Sequence, residues 1–205
     1  MNKSYSKKTQ KHRELLKLFS AIADRIEDYD SPPKDTGYWY GERALTGFLA
    51  AAAWSLAGGW SLEEFTGLRQ NGKKKGSGRG DIWIGVGNQS YTIEAKASWP
   101  GSTVDKAIEG AETKLTDATN QLRKLHKTYR VGKPVALCYI IPGLKVEGRF
   151  ADPETIQDFF TDMPKRLSDS RTAVASLWYG QKYPRHDGHI YPGVVIVARL
   201  LPGWS

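Results

Sequence analysis

The segment from Gly78 to Ala97, GRGDIWIGVGNQSYTIEAKA, constrains the fold more than any other part of the sequence. Branched apolar residues alternate with other residues at Ile82, Ile84 and Val86, and a second alternation of period two runs over residues 91–97. Each alternation predicts a strand. The segment therefore predicts a two-stranded hairpin.

The turn of this hairpin leaves two registers open. A four-residue loop pairs Asp81 with Lys96, whereas a two-residue loop, Gly87-Asn88, pairs Asp81 with Glu94. Both registers place Asp81, Glu94 and Lys96 on one face of the hairpin. The branched apolar residues then share the opposite face, which we expect to be the buried one.

The carboxylates of Asp81 and Glu94 repel one another when a strand pair holds them together, so a compensating cation is needed. Magnesium is commonly held by one or two carboxylates together with substrate phosphate and water. Lys96 adds a compact positive charge that could orient or deprotonate an attacking water, or neutralise charge on a phosphate. The alternative is a surface hairpin in which Glu94 and Lys96 have no joint role.

Gly80-Asp81, a short hairpin and Glu94-Ala95-Lys96 together resemble the signature of the PD-(D/E)XK nuclease superfamily, with Gly80 where that motif has proline. Over residues 41–141, the resemblance implies a restriction endonuclease-like α/β fold. Its αβββαβ core has a mixed central sheet flanked by helices. It also implies hydrolysis of phosphodiester bonds, with Asp81 and Glu94 binding Mg²⁺, for which Mn²⁺ can substitute, and Lys96 as a further catalytic residue.

Glu42 is a further candidate for this site. A helix is predicted over residues 42–57, and Glu42 lies three and seven residues before Leu45 and Leu49 of its apolar stripe. Residues 41–45 resemble the first core helix of archaeal-type Holliday junction resolvases. In the nuclease superfamily, a glutamate on the first core helix often completes the metal site. The resemblance implies that Glu42 is catalytic and metal-binding. The alternative is a favourable interaction with the helix dipole alone.

The charge of the chain points to a polyanionic partner. The net charge is +8, which suits nucleic acid or an acidic membrane surface. Residues 69–80 hold five basic side chains, four glycines and no acid, and they lead directly into Asp81. We predict a loop that contacts nucleic acid, with a flexible solvated loop as the alternative. Its basic residues are Arg69, Lys73, Lys74, Lys75 and Arg79.

DNA is favoured over RNA because the superfamily mostly acts on DNA. Cutting two strands needs two sites, which makes a homodimer an option. An acidic membrane explains only the charge, since no basic amphipathic helix with exposed large apolar residues is evident.

The rest of the chain predicts further elements around this core. Gln121 lies on a predicted helix over residues 104–129, where exonuclease branches of the superfamily place a glutamine near the active site; a helix-surface amide is the alternative. His186, Asp187 and His189 predict a turn-rich loop rather than a metal site.

Residues 1–35 are predicted as a basic tail, an amphipathic helix (11–28) and a linker. Residues 36–205 are predicted as one domain, with strands at 60–68, 135–141, 173–179 and 193–201, a helix from Pro153, and residues 142–205 as a C-terminal extension.

The single cysteine, Cys138, lies in an apolar run, so no intrachain disulfide can form. The first residues contain no apolar signal segment, and residues 44–57 are too few to cross a bilayer. These features predict a cytoplasmic protein.

The function predicted is a metal-dependent nuclease, specifically a DNA endonuclease of the restriction, defence or repair type. The alternative is a non-cleaving nucleic-acid-binding subunit of a larger assembly that retains the nuclease fold.

Overall fold

The structure of the protein is a computed structural model. The described residues are 1–7, 9, 12–30, 37–71, 74–100, 103–125, 129–145, 153–167, 169, 171–179, 185–186 and 189–204; within these ranges, the side chains at 66–71, 74–78, 145, 185 and 186 are not described. The predicted linker near Ser31 and Asp187 of the predicted turn-rich loop lie outside these ranges.

The centre of the fold is a mixed, open sheet of seven strands, which confirms the predicted α/β class. The strand order is β1-β7-β10-β5-β4-β3-β2. The strands are β1 (Asn2–Tyr5), β2 (Trp60–Asn71), β3 (Lys74–Val86), β4 (Gln89–Ser98), β5 (Lys133–Ile140), β7 (Thr172–Trp178) and β10 (Gly193–Leu200). A separate three-stranded sheet has the order β6-β9-β8, from β6 (Leu144–Lys145), β8 (Arg185–His186) and β9 (His189–Ile190).

Four α-helices are described: α1 (Arg13–Asp30), α2 (Glu42–Ser55), α3 (Val104–Lys124) and α4 (Pro153–Arg166), with a 3₁₀ turn at Gly37–Tyr40 before α2. Helix α3 connects β4 to β5, which pair in parallel, while the other strand pairs of the large sheet are antiparallel. A parallel pair needs such a crossover because its two strands run in the same direction. No described helix is long and apolar enough to cross a membrane.

Helices cover both faces of the sheet. Strand β5 shows this most clearly, because Val135, Leu137 and Tyr139 belong to a core shared with α1 and α2, whereas Ala136 and Cys138 belong to a second core. This second core includes apolar residues of α3 and α4. The expectation that one face of the hairpin would be buried was therefore incomplete. The polar face of β4 is also covered, which is possible because central strands of α/β sheets are buried on both sides.

The prediction of a loop over residues 69–80 was wrong. Strands β2 and β3 form a long antiparallel ladder that extends from Trp60↔Gly85 to Asn71↔Lys74. Two glycines of β3 are covered by aromatic rings of β2: a Cβ at Gly80 would lie 2.3 Å from Phe65 Cζ, and one at Gly85 would lie 2.2 Å from Trp60 Nε1. Such aromatic cover replaces the packing that a glycine lacks.

Two further predictions need correction. Residues 2–5 are not part of a tail but form β1, which pairs with the edge strand β7. Helix α3 ends at Lys124 rather than at residue 129, since Leu125 has an extended backbone. The other helices and the remaining strands of the large sheet lie within a few residues of their predicted bounds, and Leu15, Phe19 and Ile22 of α1 are buried as expected. The short strands β6, β8 and β9 were not predicted, and β8 and β9 lie in the segment predicted as a turn-rich loop.

Candidate active site

The candidate site lies where β3 separates from β4. Pairing of the two strands runs from Val86↔Gln89 to Ile82↔Ile93, so the turn is the two-residue Gly87-Asn88 loop. Of the two registers left open by the sequence, this is the one that places Asp81 opposite Glu94. Gly87 has a φ of 58°, which a non-glycine residue rarely adopts.

Beyond this fork, carboxylate side chains take the place of the missing strand partner. Asp81 Oδ2 accepts a hydrogen bond from the backbone amide of Ala95 at 2.8 Å, and Glu42 Oε2 accepts one from the amide of Ala97 at 3.1 Å. A buried amide without a partner is costly, so these contacts hold both carboxylates in fixed positions. The unusual position of Glu42 at the head of the apolar stripe is thereby explained.

Lys96 brings the predicted site residues together. Its Nζ lies 3.5 Å from Glu94 Oε1, 3.6 Å from Glu42 Oε1 and 3.7 Å from Asp81 Oδ2. The same Nζ donates a hydrogen bond to the carbonyl of Ala95 at 2.6 Å. We call Glu42, Asp81, Glu94 and Lys96 the acidic cluster. The prediction that Asp81, Glu94 and Lys96 share one side of the hairpin is confirmed, and Glu42 joins them from α2.

Charge governs the chemistry of the acidic cluster. The Glu94 side chain is 1% exposed and that of Lys96 is 17% exposed. Burial by itself lowers the pKa of Lys96, but Asp81, Glu94 and Glu42 outweigh it, and the net effect raises the pKa above the usual lysine value. Lys96 is therefore a cation at neutral pH. Three carboxylates against one ammonium leave two negative charges uncompensated if all are ionised.

The donor atoms of the acidic cluster suit a hard divalent cation. Carboxylate oxygens are what Mg²⁺ prefers, and an excess of negative charge favours its binding. Among the described residues, Asp81 Oδ1 makes no hydrogen bond or ion pair and is available as a ligand. However, the described residues contain no group of three or more Asp, Glu, His or Cys side chains close enough together to hold a metal ion. Lys96 occupies the space between the carboxylates.

Glu64 forms a second charged group beside the cluster. It ion-pairs with Arg43 at 3.0 Å and with Arg79 at 2.8 Å. Its φ of 45° is unusual for a residue with a side chain, and the ladder pairs its neighbours Glu63 and Phe65 but not Glu64 itself. In a regular ladder Glu64 would face Asp81, and two opposed carboxylates repel. We call Arg43, Glu64 and Arg79 the arginine bridge.

The predicted nucleic-acid-binding residues are only partly covered. The structure places Arg79 at the surface, on β3, two residues before Asp81. Lys73 lies outside the described residues, as do the side chains of Arg69, Lys74 and Lys75. Arg43 was not predicted as a site residue. It directly follows Glu42 in the predicted helix, and this position was a signal that it would lie near the site.

Gln121 lies partly buried near the C-terminal end of α3, which packs on β4 and β5. Its role stays a prediction. His189 is part of β9 and lies near Tyr191, with 6.4 Å between the ring centroids. The side chain of His186 is outside the described residues.

Three comparisons with known proteins give no identification. No protein-family model matches the sequence. Neither a search of curated proteins nor a search of solved structures finds a match. Interpretation of the site therefore rests on the geometry of the chain itself.

Proposed function

We propose that the protein is a metal-dependent nuclease that hydrolyses phosphodiester bonds, with DNA as the favoured substrate. The observation that carries the proposal is the acidic cluster, in which Lys96 Nζ lies within 3.7 Å of carboxylates from three separate elements. A purely structural role explains this arrangement poorly, because removing a charged group from water costs roughly several kcal/mol of folding free energy per ion. The order α2, β2, β3, β4, α3, β5 supports the αβββαβ core of the PD-(D/E)XK superfamily.

Each residue of the acidic cluster has a role in this proposal. Asp81 and Glu94, supported by Glu42, would hold the metal. A bound Mg²⁺ supplies Lewis-acid polarisation of the phosphate and lowers the pKa of a bound water. The ammonium of Lys96 stabilises negative charge that develops on the phosphate.

The protein's charge and the arginine bridge support a nucleic-acid substrate. The chain carries a net charge of +8 although the acidic cluster itself is negative. The Arg43 and Arg79 side chains are 89% and 68% exposed. Exposed ion pairs contribute little to stability, so a substrate phosphate can replace Glu64 as their partner at small cost.

The test is a cleavage assay on supercoiled plasmid, linear duplex and single-stranded DNA, each with EDTA, Mg²⁺ or Mn²⁺. We expect metal-dependent cleavage that falls on the order of 100-fold or more in Asp81→Asn. Asparagine keeps an oxygen that can accept the Ala95 hydrogen bond, so the fold should persist. Asp117→Asn, at an exposed acid on α3, is the matched control and should cleave normally. Normal cleavage by Asp81→Asn would contradict the assignment.

A non-cleaving nucleic-acid-binding subunit is the second candidate. It is favoured by Lys96, which already occupies the space between the carboxylates, and by the lack of a metal-ligand group among the described side chains. Calorimetry separates the two. Metal binding that vanishes in Asp81→Asn supports the nuclease, whereas salt-dependent DNA binding without metal binding supports the subunit.

A further inference from the structure

Three aromatic rings form a cluster beside the candidate site: Trp99 is exposed, Trp39 is half-buried and Tyr191 is buried. The rings of Trp39 and Trp99 meet edge to face, with 5.6 Å between centroids and an interplanar angle of 83°. Trp39 also contacts Tyr191 at 4.3 Å, and Trp99 lies 6.5 Å from Tyr191. These residues come from the 3₁₀ turn, the segment after β4 and the segment after β9. We call them the aromatic platform.

The aromatic platform is held rigidly by the core. The buried Tyr38 donates its hydroxyl hydrogen bond to the carbonyl of Tyr191 at 2.7 Å, which fixes the 3₁₀ turn against that segment. Gly41 has a φ of 79°, and a Cβ on it would lie 3.3 Å from Trp99 Cζ2, so the backbone runs close beneath this ring. A preorganised ring binds a partner with little loss of conformational entropy.

The platform adjoins the acidic cluster on two sides. Gly41, which lies against Trp99, directly precedes Glu42, whose carboxylate contacts Lys96. Trp99 itself follows Lys96 by three residues, so their Cα atoms are no more than about 11 Å apart even in a fully extended chain. A nucleotide whose phosphate lies at the acidic cluster can therefore bring its own base or a neighbouring base to the platform.

The Trp99 side chain is 49% exposed although it sits on an organised support. Exposure alone does not mark a binding site, since single exposed apolar residues such as Trp54 are common. Trp99 differs from Trp54 in its edge-to-face contact with Trp39 and in its position beside Gly41, next to the acidic cluster. The flat face of an indole stacks on any nucleobase, but only where that base is not already stacked within a duplex. A net charge of +8 makes a polyanionic ligand the natural occupant of this surface.

We propose that Trp99, supported by Trp39 and Tyr191, stacks on an unpaired nucleobase next to the phosphodiester bound at the acidic cluster. This inference rests on the proposed function and extends it to the substrate class. The preferred substrates are single strands, or duplex sites with an extruded base. Perfectly paired duplex is a poorer ligand, because its bases stay stacked on one another.

The test is fluorescence anisotropy of labelled oligonucleotides with Ca²⁺ in place of Mg²⁺, so that the carboxylates keep a divalent cation for the phosphate, and a gel checks that the oligonucleotides stay intact. The ligands are a single strand, a blunt duplex and a duplex with a one-base bulge. We expect Trp99→Ala to weaken binding of the single strand by roughly 5- to 100-fold, and binding of the blunt duplex by less than about 2-fold. Trp99→Phe should restore most of the affinity. A loss on the bulged duplex identifies an extruded base as a second source of the ligand.

Trp54→Ala is the matched control. Trp54 is 63% exposed and lies on α2, twelve residues beyond Glu42, which is about 18 Å along the helix axis. Its removal should leave all three affinities unchanged. Stacking should also quench tryptophan fluorescence on addition of the single strand, and this quenching should shrink in Trp99→Ala.

Two results would overturn the proposal: unchanged single-strand binding by Trp99→Ala, or an equal loss on the blunt duplex that Trp99→Phe does not rescue. The latter result would instead mark the platform as structural or as a contact for another protein. Failure of the nuclease proposal gives a different pattern. Single-strand binding would still depend on Trp99, while no metal or substrate yields cleavage.

Discussion

Replacement of Lys96 by methionine tests whether the acidic cluster is held together by one buried cation. Methionine keeps most of the aliphatic length of lysine and removes the charge. In the variant, the carboxylates of Glu42, Asp81 and Glu94 face each other without the ammonium that now lies 3.5–3.7 Å from each. Glu94 suffers most because its side chain is 1% exposed and cannot be solvated in place.

Loss of one partner from a buried ionic group costs about 3–5 kcal/mol of the free energy of unfolding. We expect about 3 kcal/mol near pH 8, at the low end, because Glu42 and Asp81 are partly exposed and keep their hydrogen bonds to backbone amides. For a chain of this size, that loss corresponds to a melting temperature lower by about 6–12 °C. The double variant Lys96→Met/Glu94→Gln should recover at least about half of the loss, since it removes the stranded buried charge.

The loss should depend on pH. Methionine cannot titrate, so the loss in Lys96→Met follows the charge of Lys96 in the wild type, and it should be larger near pH 8 than at a pH above the folded pKa of Lys96. Burial by itself lowers the pKa of Lys96, but the neighbouring carboxylates outweigh it, so this pKa is raised on folding. The contribution of Lys96 is therefore fully present below its unfolded value of about 10.4 and is lost only as pH rises through the folded value.

Urea unfolding followed by tryptophan fluorescence measures these free energies at both pH values. Lys106→Met, at an exposed lysine on α3, is the control and should change stability by less than about 0.5 kcal/mol. The reasoning is refuted if Lys96→Met matches the wild type within about 0.5 kcal/mol near pH 8. It is also refuted if Glu94→Gln in the double variant lowers stability further.

Two further predictions concern the surface and the core. Arg43→Ala and Arg79→Ala should each reduce the slope of log affinity against log salt concentration by about one in nucleic-acid binding, whereas Glu64→Gln should strengthen binding. The free energy of unfolding should change by less than about 1 kcal/mol in all three variants, because the arginine bridge is exposed. Unchanged salt slopes in binding titrations would exclude the arginine bridge from the contact surface. Burial raises the pKa of Cys138 to about 12. The native thiol should therefore resist a thiol-specific reagent near neutral pH and react only once urea unfolds the chain. Labelling at a rate independent of urea would contradict the burial of Cys138.

Much of the acidic cluster could be predicted because period-two alternation is a strict geometric rule. Asp81, Glu94 and Lys96 fall on one face in either register of the hairpin, and the structure brings them together. Glu42 was harder, since its role depends on how α2 sits against the end of β4. A carboxylate at the head of an apolar stripe was the signal that located it.

The ladder of β2 and β3 was missed for an equally physical reason. Residues 69–80 contain no apolar alternation, and glycines ordinarily weaken a strand. Phe65 supplies packing at Gly80 from the neighbouring strand, which no local pattern in 69–80 reveals. Strand β1 was missed because Asn2–Tyr5 is polar and is stabilised by pairing with β7 and by ion pairs such as Lys3 with Asp24 at 2.6 Å.

The sequence alone determined the α/β class, most helices and strands, and the placing of Asp81 and Glu94 on one face with Lys96, because these follow from local periodicity and from chain order. Only the tertiary structure decided which amides the carboxylates satisfy, how Glu64 turns away from Asp81 to meet two arginines, and that Trp39, Trp99 and Tyr191 form one cluster. These contacts join residues far apart in the chain. Their geometry depends on how strands and helices pack, and no spacing within a single segment encodes that packing.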